Sequence, residues 1–155
     1  IDIFKYINDE LSIQIKVIPQ VIGPNENDDR LFWDKLKKNY SSKLCSYIDE
    51  DLHPGQIKKL LSKSELLIGS RMHSNIFALA SHTPVLAVAY LPKTKGIMED
   101  FDLGELVIDI NSLDALKGQK LISKILRNRS AYVKTIKNRL DIMDHIDPKS
   151  IQRYL

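Results

Sequence analysis

Short apolar runs rich in β-branched residues recur along the chain, and amphipathic or small-residue segments separate them. The apolar runs predict five strands, at residues 13–19, 43–48, 65–69, 84–90 and 106–110. The intervening segments predict helices over 2–11, 31–40 and 73–81, a helix that begins near Pro54, and two basic helices between about 114 and 145. Buried strands that alternate with helices are typical of a parallel sheet covered on both faces. We therefore expect an α/β, Rossmann-like fold with a mostly parallel sheet of about five strands.

Length and composition are those of a globular domain, with 155 residues, 43% hydrophobic and 28% charged. We expect one α/β domain over 1–155, in which 114–155 is a helical C-terminal extension. The net charge of +3 is too balanced to indicate nucleic-acid binding. Cys45 is the single cysteine, which predicts a reducing, cytoplasmic location without a disulfide framework. Because the chain opens at Ile1 inside a helical pattern, we expect a fragment of a longer protein.

Two basic residues stand out in the apolar stretch LLIGSRMHSNIFALASHTPVLAVAY, where Arg71 and His73 lie two residues apart. A strand ends just before them and a helix begins just after, so we expect both at the carboxyl edge of the sheet, where ligands of α/β folds bind. The helix N-terminus, capped by Ser70 or Ser74, would add partly positive N–H groups to an anion site. In the simpler alternative, Arg71 bridges to a nearby carboxylate and His73 only caps the helix.

Other polar clusters have weaker interpretations. Lys93 and Lys95 in the turn YLPKTKG would add positive charge at the same edge, although lysines are usually solvated. Asp28 and Asp29 would lie in a loop at that edge, where a solvated turn is the simpler interpretation and a role in orienting hydroxyl groups is the alternative. The segment DED at 49–51 matches an Asp-X-Asp metal motif, but acidic residues that complement a helix dipole explain it more simply. The four histidines lack metal-ligand spacing, and the glycine-rich nucleotide motifs are absent from the sequence.

The stretch ELLIGSRMHSNIFALASHTPVLAVAYLPKTKGIMEDFDL resembles the signature of the polysaccharide pyruvyl transferase family. VIPQVIGPNENDDR resembles an earlier loop of that family, and the resemblance covers about residues 1–112. It implies the C-terminal, donor-binding half of a two-domain, glycosyltransferase-B-like enzyme. Two departures are that the N-terminal half is absent and that the central strand expected before the first helix is missing. The family often has glycine where this chain has Ser81-His82-Thr83.

The resemblance implies phosphoenolpyruvate as donor, a sugar or lipid-linked oligosaccharide as acceptor, and no cofactor or metal. Arg71 would bind the donor phosphate or carboxylate, the backbone of Met72 would line the site, and His73 would be a general acid or a second phosphate ligand. The remaining substrate-binding candidates lie at the helix start, after the next strand and in the earlier loop: Ser74, Tyr90, Lys93 and Asp29.

Two other functions stay open at this stage. One is a nucleotide-sugar glycosyltransferase of similar architecture, although HSNIFALASH lacks the acidic residue that would bind a ribose. The other is a non-catalytic anion-binding domain. The basic C-terminal helices would contact the lost domain or the inner face of a membrane, but a solvated face is the simpler expectation.

Overall fold

The computed structural model describes residues 1–24 and 28–145, which divide into two compact units between His53 and Pro54. The first unit contains α1 (Asp2–Lys5), a π-helical turn (Tyr6–Glu10), β1 (Ile15–Val17), α2 (Asp29–Asn39) and β2 (Cys45–Tyr47). The second unit contains α3 (Pro54–Leu61), β3 (Leu67–Gly69), α4 (Met72–Ala80), β4 (Val85–Ala89), α5 (Pro92–Asp100), β5 (Val107–Asp109), α6 (Ala115–Arg127) and α7 (Arg129–His145). Short 3-10 helices at Gly104–Leu106 and Ile110–Ser112 flank β5.

The first unit is a small parallel β-α-β arrangement. β1 and β2 pair in parallel, with Ile15 opposite Cys45. Trp33 and Leu36 on α2 are buried and form part of its core. The buried Asn8 side chain donates to the carbonyl of Ile13 at 2.7 Å and accepts from the Tyr40 hydroxyl at 2.8 Å. Asn8 therefore has partners for both ends of its amide, as a buried polar group requires.

The second unit is built on a three-stranded parallel sheet in the order β3-β4-β5. Gly69 of β3 pairs with Ala87 of β4, and Ala89 of β4 pairs with Asp109 of β5. The central strand β4 is the most buried, because Val85, Leu86 and Ala87 are all at most 2% exposed. The helices add fully buried side chains to this core: Leu79, Met98, Ile125 and Ile136.

The α/β class and the parallel pairing of all five predicted strands are confirmed, and the fold is roughly Rossmann-like. The expectation of a single sheet is wrong, because the strands pair as two plus three. Within residues 1–24 and 28–145, no strand pairs with both sets. The strands are also shorter than predicted, at three to five residues, and the segment 146–155 of the predicted C-terminal extension lies outside the described residues.

Helices α4 and α5 end in the same way. Beyond α4, the N–H of His82 donates to the carbonyl of Leu79 at 2.9 Å, and the N–H of Thr83 donates to that of Ala78 at 2.8 Å. This pair of bonds is a Schellman motif, which places one residue in the left-handed region. That residue is His82 after α4, with φ of 59°, and Asp102 in the corresponding place after α5, with φ of 57°.

Across the part of the chain described here, the helices are too short or too polar to cross a membrane.

Candidate functional site

The turn between β3 and α4 carries both of the predicted catalytic residues. β3 ends at Gly69, and Arg71 is the N-cap residue of α4 with an extended backbone conformation. Arg71 is half-buried, whereas His73 in the first helical turn is exposed. The two side chains therefore lie at the carboxyl end of a parallel strand, in the place that the sequence predicts.

The predicted serine cap of α4 is wrong. Arg71 occupies the N-cap position, and no side chain there accepts a hydrogen bond from the helix N-terminus. The hydroxyl of Ser74 instead donates back to the carbonyl of Arg71 at 2.7 Å, and Ser74 is buried. Because the N-cap side chain does not accept a hydrogen bond from α4, the first N–H groups of the helix can serve an anionic ligand, as helix N-termini commonly do.

A buried amide lies behind this turn. Asn75 is 1% exposed, and neither its Nδ2 nor its Oδ1 has a hydrogen-bond partner among the described residues. Its Oδ1 occupies the space beside Gly69, where an added Cβ would overlap it. An unsatisfied buried polar group costs about 1–3 kcal/mol. Asn75 is not among the predicted site residues, although a polar residue directly before the apolar run IFALA is a recognisable signal.

The next turn of the same sheet edge follows β4. β3 and β4 are adjacent and parallel, so both turns lie at the carboxyl edge of one sheet. Lys93 and Lys95 are exposed there, but they lie in the first turns of α5 and not in a loop as predicted. Pro92 is at the start of α5, a position that proline favours.

A shallow cleft of about 270 Å³ opens at the carboxyl ends of β4 and β5. It combines an exposed aromatic ring with apolar, basic, acidic and amide groups. Its lining residues are Ala89, Tyr90, Leu91, Pro92, Lys95, Val107, Asp109 and Asn111. Of the predicted substrate-binding residues, only Tyr90 lines this cleft, and Arg71, His73 and Lys93 do not.

Asp28 and Asp29 belong to the first unit, where they begin α2 and do not lie in a loop as predicted. The Asp28 carboxylate caps α2 by accepting from the N–H of Arg30 at 2.8 Å, and it forms an ion pair with the Arg30 side chain at 2.6 Å. The hydrogen bond from the Arg30 side chain, followed by that from its backbone, lowers the pKa of Asp28 to about 2. Both partners thus stabilise the start of the helix.

Asp29 is the predicted acceptor-binding residue of this pair. Its Oδ2 accepts hydrogen bonds from the backbone N–H groups of Gln20 and Val21, each at 3.0 Å. The carboxylate therefore holds the start of the loop that leads to Gly23 and Pro24. Its role toward an acceptor sugar stays a prediction.

Groups of three or more histidine, cysteine or acidic side chains that could hold a metal ion are absent from residues 1–24 and 28–145.

Comparison with known proteins places these residues in a family. Residues 1–92 match the family described as polysaccharide pyruvyl transferase. The chain is also 39% identical over 54 residues to the amylovoran biosynthesis protein AmsJ of Erwinia amylovora, and this alignment covers 35% of the chain and 13% of that protein. No solved structure matches. Since the family match covers more than half of the 155 residues and includes the β3–α4 turn, the chain belongs to the polysaccharide pyruvyl transferase family.

Proposed function

We propose that this chain acts in polysaccharide biosynthesis as the donor-binding part of an enzyme that transfers a pyruvyl group from phosphoenolpyruvate onto a sugar. The observation that carries the proposal is the β3–α4 turn. There, Arg71 and His73 stand beside an uncapped helix N-terminus at the carboxyl edge of a sheet. Both residues lie within the 92 residues that match the family.

The donor requires the groups that this turn offers. Phosphoenolpyruvate carries a phosphate and a carboxylate on one small frame, so its binding site needs several fixed positive or N–H groups. The planar guanidinium of Arg71 can bind either anion with two parallel hydrogen bonds. The free N–H groups of α4 add a partial positive charge at the same place.

His73 is the proposed general acid. It gives a proton to the methylene carbon of phosphoenolpyruvate, which leaves an oxocarbenium-like centre at the neighbouring carbon. A sugar hydroxyl attacks that centre and its proton returns to His73. A second hydroxyl of the same sugar then displaces phosphate, takes its place on the carbon and closes the ketal, while its proton leaves with the phosphate.

Further substrate contacts are proposed on the neighbouring turn. Lys93 would contact the donor phosphate, and Tyr90 would present its ring in the cleft beside the ends of β4 and β5. Aromatic rings and mixed polar groups suit a carbohydrate, which has both apolar C–H faces and hydroxyl groups. Met72 would contribute its backbone, and Asp29 would orient the acceptor.

The test is turnover by the intact enzyme. It is incubated with phosphoenolpyruvate and a panel of sugar acceptors, and both phosphate release and the ketal product are followed, the latter by mass spectrometry. We expect ketal formation in step with phosphate release. Transfer from a nucleotide sugar in place of phosphoenolpyruvate would show the rival glycosyltransferase activity, and donor binding without turnover on any acceptor would favour a binding domain.

A further inference from the structure

The contact between Gly69 and Asn75 joins the end of β3 to the first turn of α4. The Asn75 Oδ1 lies where any residue larger than glycine at position 69 would place its Cβ. On the other side, the backbone N–H of Asn75 donates to the carbonyl of Arg71 at 3.2 Å. The Asn75 side chain therefore contacts Gly69 at the start of the Gly69–Arg71 segment, and its backbone makes the helical hydrogen bond to Arg71 at the end of that segment.

The choice of asparagine at this position is not explained by stability. Asn8 is buried to a similar degree, at 2% exposed against 1% for Asn75, but both ends of the Asn8 amide have hydrogen-bond partners. The Asn75 amide has none among the described residues. A buried amide without partners destabilises a fold relative to an apolar side chain of similar shape. Residues that reduce stability in this way cluster at functional sites.

We propose that Asn75 is a positioning residue of the anion site: its amide, packed against Gly69, fixes the turn so that Arg71 and His73 meet the bound donor. This inference rests on the proposed function. Asn75 is too buried to contact a ligand bound at the surface, so it acts through the backbone of the turn. Glycine at position 69 and asparagine at position 75 are thus one paired feature.

The first test separates stability from binding in the Asn75→Leu variant. Leucine keeps the branching of asparagine and removes the unsatisfied amide, but its methyl groups are larger than the amide oxygen and cannot pack as closely against Gly69. We expect a melting temperature equal to or above that of the wild type, together with an affinity for phosphoenolpyruvate, measured by calorimetric titration, that is lower by about 10-fold. The matched control is Asn8→Leu, which removes a satisfied amide and should lower the melting temperature without a specific loss of affinity in the protein that still folds.

The outcomes distinguish this inference from the proposed function. If the wild type binds neither phosphoenolpyruvate nor inorganic phosphate, the proposed function fails and this inference fails with it. If the wild type binds and Asn75→Leu binds equally well, only the positioning role is overturned. If Asn75→Leu loses stability as Asn8→Leu does, Asn75 is a structural residue and the inference is again overturned.

The second test uses the contact between Gly69 and Asn75, and it does not require that leucine fits at position 75. Gly69→Ala alone should destabilise the protein strongly, because the new Cβ overlaps the Asn75 amide. In the Asn75→Ala background the same change should cost much less, since the overlapping atom is gone. Gly96→Ala is the control, because nothing lies within 4 Å of an added Cβ there. A Gly69→Ala penalty of the same size in both backgrounds would contradict the pairing.

Discussion

Arg71 and His73 differ in their surroundings although they are two residues apart. Arg71 is half-buried at the N-cap of α4, where its backbone accepts hydrogen bonds from both Ser74 and Asn75. His73 is exposed in the first helical turn. A residue whose backbone is held in this way suits a binding role, whereas an exposed side chain in the first helical turn is accessible to a substrate.

The role of His73 can be separated from simple phosphate binding. In the intact enzyme, His73→Gln keeps a hydrogen-bonding side chain but cannot donate a proton to carbon. We expect turnover to fall by roughly 10²-fold or more while donor binding is largely retained. Steady-state kinetics and calorimetric titration of the same variant measure the two effects, with His82→Gln, an exposed histidine beyond the other end of α4, as the control. Equal losses in binding and turnover would make His73 a phosphate ligand only.

Asp28 predicts an acid-dependent contribution to stability. Its pKa is about 2 in the folded chain, against an ordinary value of 3.8, because of its hydrogen bonds from Arg30. The folded state therefore binds fewer protons than the unfolded state between these values, and the contribution is complete above about pH 4 and is lost as the pH falls toward 2. Asp28→Asn keeps an N-cap side chain but removes this dependence.

The measurement is urea unfolding of the wild type and Asp28→Asn at several pH values between 2 and 5, a range chosen as roughly that in which paired carboxylates titrate. We expect the stability difference between the two proteins to shrink on acidification. The stability difference between the wild type and Arg30→Gln should also shrink on acidification, since this variant removes the largest cause of the lowered Asp28 pKa. A difference that stays constant across this range would contradict the role of the ion pair.

At the residue scale, the sequence predicts site residues whose chemistry contrasts with their neighbours. Arg71 and His73 are conspicuous in an apolar stretch, so their place at the end of a strand could be predicted. Asn75 could not be assigned a role in the same way, because its significance depends on the contact with Gly69 and on the lack of partners, which only packing reveals.

At the scale of elements, a substitution at the C-terminal end of α4 can stabilise the fold. His82 has φ of 59° in the Schellman motif, at a position that usually holds glycine. The left-handed conformation costs a residue with a Cβ roughly 1–2 kcal/mol. Glycine avoids this cost, but its larger loss of conformational entropy on folding offsets part of the gain.

We therefore expect His82→Gly to raise the free energy of unfolding by about 0.5–1 kcal/mol, as measured by urea denaturation. His82→Ala is the matched control, because alanine keeps the Cβ and should leave stability nearly unchanged. A stability gain of equal size with alanine would show that the histidine ring, and not the backbone conformation, is responsible.

The elements themselves were predictable to different degrees. Each of the five strands contains a β-branched or apolar run that the period-2 pattern detects, and each lies within its predicted range. Helix α5 was missed because Pro92 and Gly96 are read locally as turn residues, whereas Ile97 and Met98 are buried in the core and stabilise the helix. Burial in the tertiary structure decides whether such a segment forms a helix, and the local sequence pattern does not show that burial.

At the scale of the whole molecule, the strand pairing could not be predicted from the sequence. Local patterns identify strands, but which strands pair depends on residues far apart in the chain. The pairs β1-β2 and β3-β4-β5 show that five strands form two sheets here. The alignment with AmsJ covers 35% of this chain and 13% of that protein. We accordingly propose that the chain binds the donor weakly and forms no ketal alone.

The most direct test of the donor site is calorimetric titration of the wild type and Arg71→Lys with phosphoenolpyruvate, with Arg127→Lys on the exposed end of α6 as the control. We predict that the wild type and the control bind, and that Arg71→Lys binds at least about 10-fold more weakly, a loss of ~1.4 kcal/mol, because lysine cannot form the planar two-bond contact. Unchanged affinity in Arg71→Lys, or binding of a uridine diphosphate sugar but not of phosphoenolpyruvate by the wild type, would contradict the account.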